Sequence, residues 1–289
     1  MIDPAKFLEE QLAVWPMAAG NFAALANVRV KEVQACRMPM KVQFNPARIV
    51  SSGAKVDAAS LKARPCFLCE ANRPAEQMQI DLAAEGIPGY WLLVNPFPIF
   101  PRHFTIPAKE HTPQRIAGRI ADMIAIARAM PDYTIFYNGP RCGASAPDHM
   151  HFQAGNSDFL PLVQAGHAPY ALTIKGSADE IEDKFIRLYA ALPIADGDEE
   201  PMLNILCTCH YGRVTMTVVP RKKHRPACYG NETPEQMLLS PASVDMGGAF
   251  ITPLEKDFER LDGPMIENVI DELCLSRAEI RDLRKHLNL

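Results

Sequence analysis

The chain has 289 residues, 48% of them hydrophobic and 22% charged, with a formal net charge of −4 at pH 7. That length supports one large domain or two ordinary ones around a substantial core. The mild negative balance, with no block of like charges, argues against a non-specific grip on nucleic acid or on an anionic membrane.

Residues 1–27 open with an acid and carry Lys6, Glu9 and Glu10, the pattern of an amphipathic helix rather than of a secretory leader. No apolar run approaches the roughly 20 residues of a membrane span. With no export signal, the 8 cysteines read as thiols, metal ligands or core residues of a reducing compartment, and the expected location is cytoplasmic.

Residues 28–62 read as short extended pieces broken by turn residues. Cys66 to Cys69 (CFLC) opens the next unit, and GYWLLVNPFPIFPRHFTIPAKEH, 89–111, has strand chemistry with proline joints. Apolar residues at helical spacing predict a helix over 115–130, ending before Pro131. YTIFYNG, 133–139, reads as a strand. The loop NGPRCGAS, 138–145, leads into APDHMHFQAG, 146–155, where strand alternation puts His149, His151 and Gln153 on one side and turns Met150 and Phe152 to the core.

Beyond residue 160 a comparable series follows. Ser177 and Glu180 are spaced as a capping box for a helix over 177–192, and Ser276 and Glu279 repeat that spacing before a C-terminal helix. LNILCTCHYGRVTMTVVPRKKHRP, 203–226, alternates as a strand pair, and its VVPRKKH echoes TIPAKEH, which suggests an old duplication. The second half has no His-x-His-x-Gln row; SPASVDMGGAF, 240–250, stands roughly where that row would fall. No low-complexity linker intervenes, so the halves, divided near 165, are expected to pack together.

Two thiolates on one tight turn reach a single tetrahedral ion, and two imidazoles from elsewhere complete it, so Cys66, Cys69, His111 and His149 are candidate metal ligands; a pair of buried thiols is the alternative. A neutral imidazole attacks phosphorus competently. Gly139, Gly143 and Ser145 offer the backbone N–H groups and the hydroxyl that surround a phosphate. Gln153 can donate to a phosphoryl oxygen but exchanges no proton near neutral pH. The plainer reading of the row is a half-buried strand whose histidines bond to carbonyls. Asp148 beside a phosphate site repels the substrate unless it points away, with Arg141 or Lys55 as candidate counter-charges. Cys207, Cys209, His210, His224 and Cys228 are a possible second metal group, although Cys-x-Cys on a strand more often reflects small buried side chains. PRKKHRP, 220–226, is either a phosphate-facing cluster or a solvated turn. His103 reads as a packed or hydrogen-bonded residue.

NPFPIFPRHFTIPAKEH, followed by Asn138, Gly139, Gly143, Ser145 and the row His149, His151, Gln153, resembles the histidine-triad (HIT-like) superfamily. The glutamine ending the row is similar to its transferase branch of galactose-1-phosphate uridylyltransferases, diadenosine tetraphosphate phosphorylases and GDP-hexose phosphorylases. The resemblance implies an α+β fold of two tandem HIT-like halves, 1–165 and 166–289, each an antiparallel sheet with packed helices, the second degenerate. It implies zinc on Cys66, Cys69, His111 and His149, with His151 as nucleophile, Gln153 steadying the intermediate and Ser145 assisting. Asn138, Gly139, Gly143, Arg141 and Arg48 would bind substrate; Arg48 lies in NPAR, which resembles an N-terminal segment of the uridylyltransferases. The implied substrates are a nucleotide or nucleotide-sugar with a phosphate or sugar-phosphate acceptor, without nucleic acid or membrane, in a nucleotidyltransferase or phosphorylase reaction. A HIT-type hydrolase and a non-catalytic nucleotide-binding protein are the alternatives, and the oligomeric state stays open.

Overall fold

The computed structural model describes residues 2–49, 57–230, 233 and 235–288; Lys55 lies outside them. Asp3 caps the helix Pro4–Val14 by accepting the Lys6 N–H at 3.1 Å, and Pro16 starts a second helix, Pro16–Ala23. Proline disfavours helical geometry in the residue before it, and Trp15 lies between the helices with φ −123° and ψ 89°. β1 (Arg29–Ala35) and β2 (Met38–Phe44) form a hairpin whose two turn residues, Cys36 and Arg37, both have positive φ, the turn geometry that follows the twist of paired strands.

β3 (Ile80–Asp81), β4 (Trp91–Val94) and β5 (His103–Pro107) precede the helix Ile120–Ala129. This helix starts five residues later than its apolar spacing predicts, because Gly118 takes φ +73° and the chain turns there. β6 (Tyr133–Asn138), β7 (His151–Asn156) and β8 (Leu172–Gly176) follow. The helix Ala178–Ala191 comes next, then β9 (Leu203–His210), β10 (Arg213–Pro220), β11 (Ala249–Thr252) and the helices Gly263–Leu273 and Arg277–Leu287. Both expected capping boxes form, Ser177 with Glu180 and Ser276 with Glu279. No helix among the described residues is long and apolar enough to cross a membrane.

Eight strands make one sheet in the order β3-β4-β5-β7-β6-β9-β10-β8, antiparallel at every pairing, and β1-β2-β11 make a second, smaller sheet. The large sheet contains an internal repeat. β5, a helix, β6 and β7 recur as β8, a helix, β9 and β10, and the two series meet at β6 and β9, where Asn138 pairs with Asn204. The α+β fold with two HIT-like halves is therefore present. The topology corrects one expectation: β10, which ends in VVP, occupies the place of β7 rather than of β5, so VVPRKKH and TIPAKEH are alike in sequence without being equivalent in fold.

The sheet has an apolar cluster on each face. Phe152 and Ala154 of β7 and Val214, Met216 and Val218 of β10 join one cluster with Met123, Ile126 and Phe185 of the two crossing helices. By strand alternation, His151 and Gln153 stand on the opposite face, where Phe136, Leu206 and Val219 pack toward β2, β11 and the helix Gly263–Leu273. β11 runs parallel to β2, pairing Ala249 with Lys41, so a C-terminal strand completes an N-terminal sheet over this face.

Candidate active site

β7 as a hydrogen-bonded strand begins at His151, and His149 sits just before it, held by His149 N–H to Ala146 carbonyl at 3.1 Å. The two histidines consequently serve different places. His149 Nε2 lies 2.8 Å from the Ala108 carbonyl, which can only accept, so Nε2 carries the proton and Nδ1 keeps its lone pair. That Nδ1 stands 3.3 Å from Cys66 Sγ, 3.5 Å from Cys69 Sγ and 3.2 Å from His111 Nδ1. Cys69 Sγ and His111 Nδ1 are 3.2 Å apart. A tetrahedral ion bound by two sulfurs and two nitrogens has donor-to-donor edges of roughly 3.3–3.8 Å, from metal bonds of about 2.0–2.3 Å. The four residues fit a metal on both donor chemistry and spacing, and the Ala108 carbonyl fixes the His149 tautomer. Among the described residues no other group of histidine, cysteine or acidic side chains gathers in this way. Cys207 and Cys209 are buried strand residues instead.

His151 has the reverse tautomer. Its Nδ1 is 2.8 Å from the His149 carbonyl, to which it must donate, so Nε2 is the bare nitrogen. Burial pushes the His151 pKa down to about 4, keeping the ring neutral near physiological pH. Its backbone is clamped by Gln114, fully buried, which accepts the His151 N–H at 2.7 Å and donates to the His151 and Asn138 carbonyls at 3.0 and 2.9 Å. Gln153 is oriented too. His103 accepts the Ile99 N–H on Nδ1 at 3.1 Å, so its Nε2 is protonated and donates to Gln153 Oε1 at 3.0 Å. The Gln153 NH2 group remains for a ligand. His103 is a hydrogen-bonded core residue, neutral because burial and the Arg48 cation lower its pKa to about 3.

His151 and Gln153 open onto a cavity of about 540 Å³, which Asn138, Gly143, Ser145 and Arg48 also line. Asn138 Oδ1 is occupied by Asn204 at 3.0 Å and the Ser243 N–H at 2.7 Å, leaving its NH2 as a donor. Gly143 has φ +94°, and a Cβ there would fall 2.5 Å from the Ala242 Cβ, so only glycine lets the 143 and 242 loops meet. Arg48 donates to the Phe97 carbonyl at 2.7 Å while its buried Nε has no partner among the described residues.

Two predicted substrate contacts lie elsewhere. Gly139 is absent from the cavity wall and serves the sheet seam, donating to the Leu203 carbonyl at 3.1 Å. Arg141 points to solvent, its side chain 54% exposed and paired with Asp198 at 2.8 Å. Asp148 is not on the cavity wall and is not paired with Arg141; its partner is a residue of that wall. Arg64 pairs with it at 3.0 Å and lays its guanidinium over the Phe67 ring at 4.8 Å.

The C-terminal half contributes directly. His224, Arg225, Ser240, Ala242, Val244, Asp245 and Ile251 line the cavity. Buried Arg221 ties its loops together, donating to Asn204 Oδ1 at 2.8 Å and to the Pro241 and His224 carbonyls at 3.2 and 2.9 Å. His224 is held neutral, its pKa near 4, by burial and by Arg225, Arg221 and Arg141. Asp245 accepts the N–H groups of Ala242 and Ile251, and burial raises its pKa to about 6. Thus PRKKHRP is divided: His224 and Arg225 face the cavity, whereas Lys222 and Lys223 are exposed.

The doubled sheet and the placement of this row are the arrangement that the resemblance to the HIT-like superfamily implies. Residues 7–156, more than half of the chain, match the family described as "Domain of unknown function (DUF4922)", and the chain belongs to that family. Diadenosine 5',5'''-P1,P4-tetraphosphate phosphorylase 2 of Saccharomyces cerevisiae is 23% identical over 266 residues, spanning 86% of this chain and 78% of the relative. The crystal structure of that yeast's Ap4A phosphorylase Apa2 has the same fold, with a TM-score of 0.62 at 18% identity, covering 90% of this chain and 97% of its own. Its complexes with AMP and with Ap4A give 0.62 and 0.61 at 18% and 16% identity.

Proposed function

We propose that the chain is a nucleotidyltransferase or phosphorylase that takes a dinucleoside polyphosphate, or a nucleoside diphosphate-sugar of the same reaction type, through a covalent nucleotidyl-His151 intermediate. The observation that carries this reading is the tautomer of His151: a neutral ring with Nδ1–H spent on a carbonyl and Nε2 open to the cavity. Nε2 attacks the α-phosphorus, a P–N bond forms, and the P–O bond to the leaving nucleotide or sugar phosphate breaks with its electron pair. An oxygen of phosphate or of a sugar phosphate then attacks the same phosphorus, and the pair of the P–N bond returns to Nε2. Phosphates leave as stable anions, so a glutamine suffices where an acid would otherwise be needed. Donors on Gln153 and Asn138, the Ser145 hydroxyl and the Arg48 guanidinium stabilise charge on the phosphoryl oxygens.

In this reading residues 1–165 carry the row and the metal ligands, and residues 166–289 are the degenerate half. Cys66, Cys69, His111 and His149 hold zinc, the ion their sulfur and nitrogen donors suit. Bound there, zinc would restrain His149, whose carbonyl accepts the hydrogen bond from His151 Nδ1–H. The binding of AMP and Ap4A by the yeast structures supports a nucleotide in the cavity.

Intact-protein mass spectrometry after brief incubation with diadenosine tetraphosphate, UDP-sugars and GDP-sugars, quenched at alkaline pH, tests the reading. One nucleoside monophosphate is expected on the wild type and none on His151→Ala. Equal labelling of both, or no adduct and no products from any donor, overturns it. Products that need added phosphate mark transfer, whereas products formed equally without it mark a hydrolase.

A further inference from the structure

Between the helix Ala178–Ala191 and β9 the chain runs through ADGDEE, 195–200, where every residue but the last is exposed or half-exposed and Glu200 is only 4% exposed. Three successive carboxylates of this second-half segment meet the first half. Asp198 pairs with Arg141 at 2.8 Å and Glu199 with Arg115, while Glu200 accepts the Ile116 N–H at 2.8 Å and the Tyr137 hydroxyl at 2.5 Å. The first two pairs include exposed side chains and hold little. Glu200 is the one of consequence, because burying a carboxylate is costly unless its oxygens are bonded, and both of them are.

Both bonds fall beside the residues that hold the nucleophile. Ile116 stands two positions after Gln114, and Tyr137 precedes Asn138 on β6. Gln114 donates to the Asn138 and His151 carbonyls and accepts the His151 N–H. The segment 114–116 is therefore tied to β6 twice, at Asn138 through the glutamine and at Tyr137 through Glu200. Residues 111–119 belong to no helix or strand, so no backbone ladder sets their position and these side-chain bonds do so instead. The position matters, since a misplacement of about 1 Å at a reacting group slows a step on the order of a hundredfold.

We infer that Glu200 is a positioning residue for the transfer step: it holds the 114–116 segment against β6, Gln114 carries that restraint to the His151 backbone, and His151 Nε2 is thereby kept where it attacks. The inference rests on the nucleotidyl-His151 reading and extends it, since the second half then sets the nucleophile as well as lining the cavity. Glu200 is not on the cavity wall, so its effect falls on the rate of P–N bond formation rather than on affinity. Both of its oxygens are spent on neutral donors, an amide and a phenol, so it acts by geometry rather than by charge.

Rapid-quench mass spectrometry of adduct formation at saturating diadenosine tetraphosphate, paired with AMP calorimetry, separates rate from affinity. Glu200→Ala is expected to lower the maximum rate roughly tenfold and to leave the AMP dissociation constant within about twofold. Glu200→Gln, which accepts from Ile116 and still meets the Tyr137 oxygen, recovers most of the rate. Glu200→Asp keeps the charge but is too short to reach both donors, and it stays slow; it also serves where circular dichroism shows that the alanine variant fails to fold. Gln114→Ala slows the step about a hundredfold, and adding Glu200→Ala to it costs less than about twofold more, because the path is already cut. A fast Glu200→Asp beside a slow Glu200→Gln, losses that multiply in the double variant, or a wild-type rate in folded Glu200→Ala overturns the inference. No adduct on the wild type overturns the nucleotidyl reading instead. The positioning is then read from the His151 amide signal by NMR, which Glu200→Ala is expected to shift and Glu200→Gln to restore, and an unmoved signal overturns it.

Discussion

β7 and β10 hold the same place in the two halves, each the last strand of a strand–helix–hairpin unit and each flanked by two antiparallel neighbours. Both bury alternate residues in one apolar cluster, Phe152 and Ala154 on β7 and Val214, Met216 and Val218 on β10. Their other faces differ. β7 presents His151 and Gln153, each held by a side chain or carbonyl that fixes its proton position, whereas β10 presents Thr215, Thr217 and Val219, with Thr217 bonded to Thr173 at 3.2 Å. Both halves bury the apolar face because the sheet packs on it. In the proposed reading only the first half does chemistry, and the second serves as wall: its loops bring His224, Arg225 and Asp245 to the cavity that His151 and Gln153 line.

Metal removal is the change expected to break this contrast most severely, since a metal on Cys66, Cys69, His111 and His149 would anchor the entry to β7, and among the described residues no comparable cluster stands beside β10. Chelation, or Cys66→Ala, lowers the calorimetric unfolding midpoint on the order of 10 °C, and elemental analysis gives one zinc per chain. An unchanged midpoint after complete chelation contradicts the structural role.

Gln153→Ala and Thr217→Ala then compare the two polar faces directly. The first slows adduct formation about a hundredfold through loss of a preorganised donor, and the second changes it by less than roughly twofold. Rapid-quench mass spectrometry reads both, and equal effects would mean that the two strands are not specialised.

Acid perturbs the fold more gradually. Burial lowers the pKa of His103 to about 3 and of His151 and His224 to about 4, while an unfolded imidazole titrates near 6.5. Between these values the unfolded chain binds more protons, so stability is present above pH 6.5 and is lost as the pH falls through 4. The unfolding midpoint should decline steadily across that window, and a flat profile would show that the three rings are solvated. The adduct rate, by contrast, should not fall at pH 6.5, since His151 stays neutral there.

Arg141→Ala is the mildest change. An exposed guanidinium paired with Asp198 contributes little, so the adduct rate stays within about twofold of the wild type; a tenfold loss would return Arg141 to the list of substrate contacts.

Much of the site is legible in the sequence where its signals are local. The Cys66–Cys69 turn, the capping boxes and the glycine at 143 each depend on residues within a few positions, and each is found where its spacing implies; of the row, His151 and Gln153 share the cavity face as alternation implies, whereas β7 begins only at His151, and His149, just before it, turns to the Cys66–Cys69 cluster. What escaped is non-local. Arg64 reaches Asp148 across 84 positions, and Gln114 clamps His151 across 37. No periodicity records such a meeting. Trp15 reads as one apolar residue of a helix, and only the break imposed by Pro16 gives it a cavity to face. Arg141 misled because its neighbours Gly143 and Ser145 line the cavity while its own side chain leaves the loop outward.

The most direct measurement is peptide mapping of the trapped adduct, digested at alkaline pH after incubation with diadenosine tetraphosphate, with phosphorus NMR to identify the bond. The account predicts one nucleoside monophosphate on a P–N bond at His151. A label on His149, His224 or a cysteine, or a phosphorus signal of an ester rather than a phosphoramidate, would contradict it.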